Sequence, residues 1–463
     1  MLYSARGKKE SGGGQSRVFN KRQGGSLELP DGANIAVIGG GPTGSFFSIF
    51  ALKMAEMIGK ELKVTIFEPK DFTKDGPGGC NRCGGIISEL LVQTLAVEGI
   101  NLADSVVRKG INSYVLHTNP GDVDICTPNL EKTIATVYRG GGPKGMIAGE
   151  KESFDRFLLK QAVSEGAVHE RARVDGIEYR ERPVLLSRGN EVMSADVVVG
   201  AFGVNSTASK MFEGLGFGYK EPPTVTAAIA EIRMGEDVVA EHFGNSIHLF
   251  LLPDAGIKFA AMIPKGPYVS LCILGKGLTA AKVDDFISKP VVKAVLPKDV
   301  PYQVECRCLP KMNVGAPKIP FTDRIVMCGD AGSTRLFKDG LGAAYLMGKA
   351  AAKTVVFRGV GAEDFRADYY PVYKEIVVDN MFGRYLYMIT DIYRKNRILT
   401  KALIETVRKE QAGKSASRPL SSMLWDMFTG NERYKRILPK AMSPKMHINL
   451  WGQTAKALVA RRK

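Results

Sequence analysis

The stretch Asn34-Ile-Ala-Val-Ile-Gly-Gly-Gly-Pro-Thr-Gly-Ser45 decides how this chain folds. Its apolar start predicts a strand that runs straight into Gly39-x-Gly41-x-x-Gly44, and the residues from Ser45 to about Ile58 predict a helix. Each glycine has a physical task. Gly39 permits the tight turn, Gly41 lets the backbone approach a pyrophosphate, and Gly44 lets helix and strand pack closely, while N–H groups at the helix start face the anion. A second strand, Lys63-Val-Thr-Ile-Phe-Glu68, follows at the distance a dinucleotide-binding unit requires, and Glu68 is placed to accept ribose hydroxyls. The alternative is a glycine turn in some other α/β unit; strand, loop and helix in this order argue against it.

This fingerprint fits NAD as well as FAD, and the choice comes from further along. Residues 324 to 342 read Arg-Ile-Val-Met-Cys-Gly329-Asp330-Ala-Gly-Ser-Thr-Arg-Leu-Phe-Lys-Asp-Gly340-Leu-Gly342, again a strand, then Gly-Asp, then a glycine-bearing loop entering a helix from Ala343 to about Val356. The segment resembles the Gly-Asp motif with which the flavoprotein superfamily of geranylgeranyl reductases and aromatic hydroxylases holds the ribityl chain of FAD. That resemblance implies cofactor contacts at Gly329, Asp330, Gly340 and Gly342. It also implies a helix whose positive end faces the flavin pyrimidine edge and stabilises the anionic reduced ring. Between the two motifs, Ala195-Asp-Val-Val-Val-Gly-Ala-Phe-Gly-Val-Asn-Ser206 resembles the family's Gly-Ala-Asp-Gly-x-x-Ser segment. Phe202 replaces the aspartate that the hydroxylase relatives associate with flavin and NADPH binding, which argues against direct reduction by NADPH.

The resemblance covers roughly residues 33 to 358 and implies an α/β fold: a discontinuous Rossmann-type FAD-binding domain, an antiparallel-sheet substrate domain and a C-terminal helical segment. The expected boundaries are 33–105, 145–215 and 315–358 for the FAD domain, and 106–144 with 216–314 for the substrate domain. Residues 1–32 are expected to be a disordered basic tail and 359–463 a basic helical region. The alternating runs that begin at Val225, Ser246, Lys258 and Tyr268 independently predict a mostly antiparallel sheet. In the family one face of that sheet walls an apolar cavity above the flavin. The stretch Asp254 to Lys265 sits where geranylgeranyl reductases carry an aromatic Tyr-x-Trp-x-Phe-Pro segment, and alanines stand here in the Trp region.

The loop Gly76-Pro-Gly-Gly-Cys80-Asn-Arg-Cys83-Gly-Gly-Ile-Ile-Ser88 resembles the Cys-Gly-Gly stretch of geranylgeranyl reductases, whose cysteine lies near flavin and substrate. Three readings stay open: Cys80 and Cys83 act as thiols near the flavin, they join Cys306 and Cys308 in a zinc site, or the glycines form a structural loop. Poor spacing of Cys306-x-Cys308 and the lack of accompanying histidines argue against metal, and no metal site is expected. A second glycine string, Gly140-Gly-Gly-Pro-Lys-Gly145, lacks the helix and acid-tipped strand of a dinucleotide site. It reads as a basic loop over the active site, with Arg139 or Lys144 available to a phosphate. The following Glu152-Ser-Phe-Asp155 resembles the family's Arg-x-x-Phe-Asp helix.

The chain has 463 residues, is 44% hydrophobic and carries seven cysteines and a formal charge of +16. No run approaches the roughly 18 to 20 apolar residues that a membrane span needs, no apolar signal segment follows the N-terminal charges, and an odd cysteine count suits a reducing compartment. A cytoplasmic location is therefore expected. From Tyr393 to Lys463 about 17 Lys and Arg stand against about four acids. Residues 372–410 and the Leu450–Lys463 stretch have amphipathic helical spacing, which reads either as helices packed on the body or as attachment to an anionic membrane surface on the inner face; nucleic acid is not expected.

The chemistry the resemblance implies is hydride transfer from reduced flavin to a double bond of an isoprenoid lipid, with an acid supplying the proton. Candidate donors are Cys80 and Cys83, with Lys338 and Asp339 also near the ring. The expected electron source is NADPH or, in view of Phe202, a reduced ferredoxin-type protein in its place. Competing classes are a membrane-peripheral electron-transfer flavoprotein using quinone, an FAD-dependent monooxygenase or halogenase, and a non-catalytic FAD-stabilised scaffold.

Overall fold

The computed structural model describes residues 27–82, 84–128, 133–145, 152–298, 300–413, 418–444, 450 and 452. One sheet has the strand order Phe321–Thr322, Ile325–Met327, Val197–Gly200, Ala33–Ile38, Leu62–Phe67, Val168–Glu170. Its neighbours are parallel except for the short pair at the Phe321 edge. A central parallel strand is covered on both faces, so it reads as an apolar run without alternation. Ile35 and Val37 point into a core with Phe46, Phe47 and Phe50 of helix Pro42–Met57 and Met347 and Ala351 of helix Gly340–Phe357. Ala36 and Ile38 point the other way, toward Leu185, Phe212 and Tyr219. Those residues lie on or beside a three-stranded antiparallel sheet, Gly176–Tyr179, Pro183–Ser187 and Asn190–Ser194.

A second, eight-stranded sheet runs Gln303–Cys308, Thr224–Arg233, Tyr268–Gly275, Ile257–Lys265, Ser246–Phe250, Ser113–Thr118, Gly121–Cys126, with Lys311–Asn313 paired to Thr224–Arg233. It is antiparallel apart from one parallel pair, Ser246–Phe250 with Ser113–Thr118. Both faces are covered. Helices Glu236–Phe243 and Ala280–Ser288 bury Val239, Phe243 and Phe286 against one face. The other receives the C-terminal helices Tyr370–Lys395, Arg397–Ala412, Pro419–Thr429 and Tyr434–Ala441. Trp425 is fully buried there, edge-on to Tyr114 at 5.5 Å, and the Tyr114 hydroxyl donates to the Phe428 carbonyl at 3.2 Å. A small antiparallel sheet joins Ile86–Ser88, Ile134–Val137 and Val107–Ile111, and the first two strands of the eight-stranded sheet fall between its last two in sequence.

Residues 27–32, read from sequence with the basic tail, are packed: Leu29 is buried, the Leu27 carbonyl accepts from Val360 N–H at 2.8 Å, and Leu27 N–H donates to Asp364 at 3.3 Å. Two leucines suffice to dock this short stretch on the first core. Most of the Leu450–Lys463 stretch lies outside the described residues.

A histidine pair, His117 buried and His248 half-buried, makes the fold sensitive to acid. His117 Nε2 and His248 Nδ1 are 2.9 Å apart on adjacent strands, and His117 Nδ1 is 3.1 Å from Asp122. Burial lowers the His117 pKa, and burial with the neighbouring His117 pushes His248 down to about 3. Unfolded histidine titrates near 6.5, so the stabilisation is complete above that pH and is lost as pH falls from about 6.5 toward 3. By pH 5 the loss at His248 is on the order of 2 kcal/mol. Melting curves at pH 7 and pH 5 test this: the fall in Tm is expected to be smaller in His248→Gln than in the parent chain, and equal falls would contradict it.

Candidate functional site

The glycine loop shows why its sequence is what it is. Gly39 has φ +111°, and a side chain there would strike the Ala201 backbone. A Cβ on Gly44 would collide with the Gly39 carbonyl oxygen. Gly41 differs: it has an ordinary φ of −69°, and a Cβ there would meet nothing nearer than Asp155 Oδ1 at 3.8 Å. A side chain therefore has room there without collision, beside a helix that starts with no side-chain cap. Uncapped first-turn N–H groups next to an open glycine form a cradle for an anion.

The second motif meets the first. Gly329, with φ +61°, lies so close to Thr43 that a Cβ would overlap its hydroxyl. One further turn along, Gly348 lets the helices cross: its Cβ position is 3.0 Å from both Phe47 N and Thr43 O. Asp330 follows the strand Ile325–Met327 in a short 3-10 turn held by Asn313, whose amide donates to the Asp330 carbonyl at 2.9 Å, and by Tyr219, whose hydroxyl donates to Ala331 O at 2.8 Å. Burial raises the Asp330 pKa, opposed by Thr334 and by the charge of Arg139. Asp339 has φ +51° and caps helix Gly340–Phe357 by accepting from Gly342 N–H at 3.1 Å.

A charged cluster joins the two motifs. Asp155 is fully buried and accepts from Arg139 Nε at 2.6 Å, Gly140 N–H at 2.9 Å and Asn81 Nδ2 at 2.6 Å. Glu68, buried at its strand end, accepts from Gly40 N–H and Lys70 N–H at 3.0 Å each. Burial raises its pKa against those bonds and the Lys70 charge. Lys70 donates to Asn81 at 2.6 Å, and its pKa is lowered by burial. Sequence reading passed over Asp155, Asn81 and Lys70 as site residues. The Phe-Asp pair beginning helix Phe154–Ser164 was the available signal for Asp155; no local pattern marks Asn81 or Lys70.

The loop carrying Cys80 lies against the large sheet. The Cβ position of Gly84 is 3.4 Å from Cys272 Sγ and from Ile263, and Gly85, with φ +62°, abuts the Val137 carbonyl. Cys80 is half-buried and its sulfur accepts from Arg82 N–H at 3.2 Å. Burial raises its pKa, with Glu231, Cys306 and Lys265 as charged neighbours. Burial also pushes Cys308 up to about 12. Cys83 lies outside the described residues, and the described cysteines are free thiols. The second glycine string packs loop against loop: Gly140 and Gly141 leave no room for a side chain against Gly79 and Lys74, and Gly142 O accepts from Gly76 N–H at 3.0 Å. Lys144 is exposed, and Phe202 stacks on Phe212 at 5.3 Å.

Lys338 occupies the junction between this loop system and the apolar sheet face. Its ammonium lies 5.3 Å above the Phe259 ring, and burial lowers its pKa to about 8, with Cys272 nearby. The loop is pinned from behind by Arg335, which donates to Asp339 at 2.7 Å and to the Gly430 and Glu432 carbonyls at 2.6 Å. Asn380 accepts from Leu336 N–H at 2.8 Å and donates to Thr334 O at 2.7 Å. The C-terminal helices thus fix the conformation of residues 333–340.

No protein-family model and no curated protein matches the sequence. Among solved structures, the chain is similar to a geranylgeranyl bacteriochlorophyll reductase-like protein from Thermoplasma acidophilum, with a TM-score of 0.62 and 16% identity over 89% of this chain and 98% of that one. It is also similar to a flavoprotein/dehydrogenase from Cytophaga hutchinsonii, with a TM-score of 0.58 and 15% identity over 92% and 100% of the two chains. The halogenase PltM, in complex with phloroglucinol and FAD, matches with a TM-score of 0.58 and 13% identity over 93% and 92%. The chain shares the fold of these proteins.

The glycine geometry separates fold from binding. Gly44→Ala is expected to cost on the order of 3 kcal/mol through backbone collision, whereas Gly41→Ala is expected to change stability by less than about 1 kcal/mol. Chemical denaturation of both variants without added cofactor checks this, and comparable losses would contradict the room found for a side chain at Gly41.

Proposed function

We propose that the chain is an FAD-dependent oxidoreductase that reduces a double bond of an isoprenoid-type lipid. One observation carries this reading. The start of helix Pro42–Met57 and the Gly-Asp turn Gly329–Ala331, about 290 residues apart in sequence, meet at Thr43 and Gly329, and beside them stand an anion cradle at Gly41 and a buried ribose-side carboxylate, Glu68. An FAD pyrophosphate suits the cradle at Gly41, the adenosine ribose suits Glu68, and the ribityl chain suits Asp330. The N-terminus of helix Gly340–Phe357 would hold the pyrimidine edge. When bound, reduced FAD supplies a hydride. NADPH or a reduced ferredoxin-type protein would replenish it.

The protein's own contribution is positioning and a proton. Phe259, Ala261, Ile263 and Cys272 on the large sheet are buried beneath the Lys338 loop and the C-terminal helices, a lining whose chemistry suits a hydrocarbon chain and excludes water. Lys338 Nζ holds a proton at neutral pH and sits at that face. Cys80 stays a thiol under its raised pKa and is a second proton holder at the edge of the same face. We therefore place Lys338 first as the acid, ahead of Cys80 and Cys83.

The test is anaerobic. The protein is reconstituted with FAD, reduced with dithionite, and mixed with a geranylgeranyl compound or a quinone analogue. Reoxidation by the prenyl alkene with a saturated product is expected; reoxidation by quinone alone would contradict alkene reduction and favour electron transfer. Lys338→Met is expected to slow alkene reduction by about 10²-fold or more while leaving FAD affinity unchanged. In the parent, the rate is expected to fall as pH rises through about 8, where the Lys338 proton is lost.

A further inference from the structure

The long helix Tyr370–Lys395 has two apolar faces, and among the described residues only one of them is buried. Ile376, Leu386 and Tyr387 turn inward, Tyr387 stacking with Phe259 at 6.0 Å. On the outside, Val378, Met381, Tyr385, Met388 and Ile392 are each between 38% and 55% exposed. Their spacing of three and four residues places them in one stripe about 21 Å long at 1.5 Å per residue.

Charge decides what covers the stripe. The other exposed residues between Pro371 and Arg397 are Lys374, Arg384, Lys395 and Asn396, with Pro371 and Arg397 at the ends, and the half-exposed Glu375 side chain at the rim is neutralised by Arg433 and Lys435. The three acids of the helix are engaged elsewhere. Glu375 pairs with Arg433 and with Lys435 at 3.0 Å, Asp379 accepts from the Tyr434 and Lys435 N–H groups at 3.1 and 2.9 Å, and Asp391 holds Arg394 at 2.7 Å. Arg384 donates to the Val314 carbonyl at 3.0 Å and remains exposed. A second copy laid on this stripe would bring basic rims together. A negatively charged lipid surface would accept the apolar side chains below its headgroups and the bases at headgroup level.

We propose that the outer face of helix Tyr370–Lys395, centred on Tyr385, docks the protein on an anionic membrane surface. The same helix walls the apolar sheet face with its inner side, so docking brings that face next to a lipid phase. No described helix is long and apolar enough to cross a membrane, so the contact is peripheral. It stands independently of the redox reading, because it needs no cofactor.

The full chain is co-sedimented with vesicles of phosphatidylcholine alone and of phosphatidylcholine with one-quarter phosphatidylglycerol. Binding is expected for the anionic vesicles, reduced about fivefold for each base neutralised in Lys374→Gln and Lys395→Gln. The double variant Met381→Glu with Met388→Glu is expected to weaken binding by at least about tenfold at unchanged Tm. If that variant loses its fold, Met381→Ser with Met388→Ser replaces it. Three results would overturn the proposal: no binding to anionic vesicles, undiminished binding by the methionine variants, or a concentration-dependent dimer that those variants abolish.

Discussion

The approach of two helices at glycine is the contact on which the rest of the structure depends. Helices Pro42–Met57 and Gly340–Phe357 touch where Gly348 admits the backbone at Thr43 and Phe47, and the turn Gly329–Ala331 closes on the same place, where Gly329 admits the Thr43 side chain. A side chain at Gly348 would press the helices apart, and one at Gly329 would displace Thr43. Because both helices begin at the ends of neighbouring parts of one parallel sheet, their approach brings two uncapped or specially capped N-termini to one side of that sheet. Everything proposed for the cofactor follows from that convergence.

Much of this was legible in the sequence because it rests on local rules. The order strand, glycine loop, helix, acid-tipped strand needs no tertiary information, and the alternating runs after Val225 gave their strands for the same reason. The long-range parts were not legible. Asp155 is decisive only because Arg139, Gly140 and Asn81 arrive around it from other segments. The string at Gly140 looks like a phosphate loop, yet its glycines exist to let one backbone lie on another. Leu27 and Leu29 were hidden by the Gly, Ser, Lys and Arg that precede them, although two leucines are enough to dock a short segment. The inner contacts of the C-terminal helices also escaped sequence reading, since an amphipathic stripe does not say which surface it meets.

Those helices carry more than charge. Arg335 reaches from the cofactor-side loop to the carbonyls of Gly430 and Glu432, and Asn380 takes the backbone of Thr334 and Leu336. The left-handed Asp339 is therefore held by residues up to about 95 positions away, as a strained conformation requires. Lys338 inherits its place from the same clamp, between a polar loop and an apolar sheet face.

The central claim is that this convergence is one FAD site, and a flavin count tests it most directly. The purified protein, saturated with FAD and freed of excess by gel filtration, would be denatured and its released flavin measured against protein. The account predicts one FAD per chain, with occupancy lost in a bulky Gly41→Val variant that keeps its fold. A parent chain that retains no flavin after saturation, or a Gly41→Val variant that binds as the parent does, would contradict it.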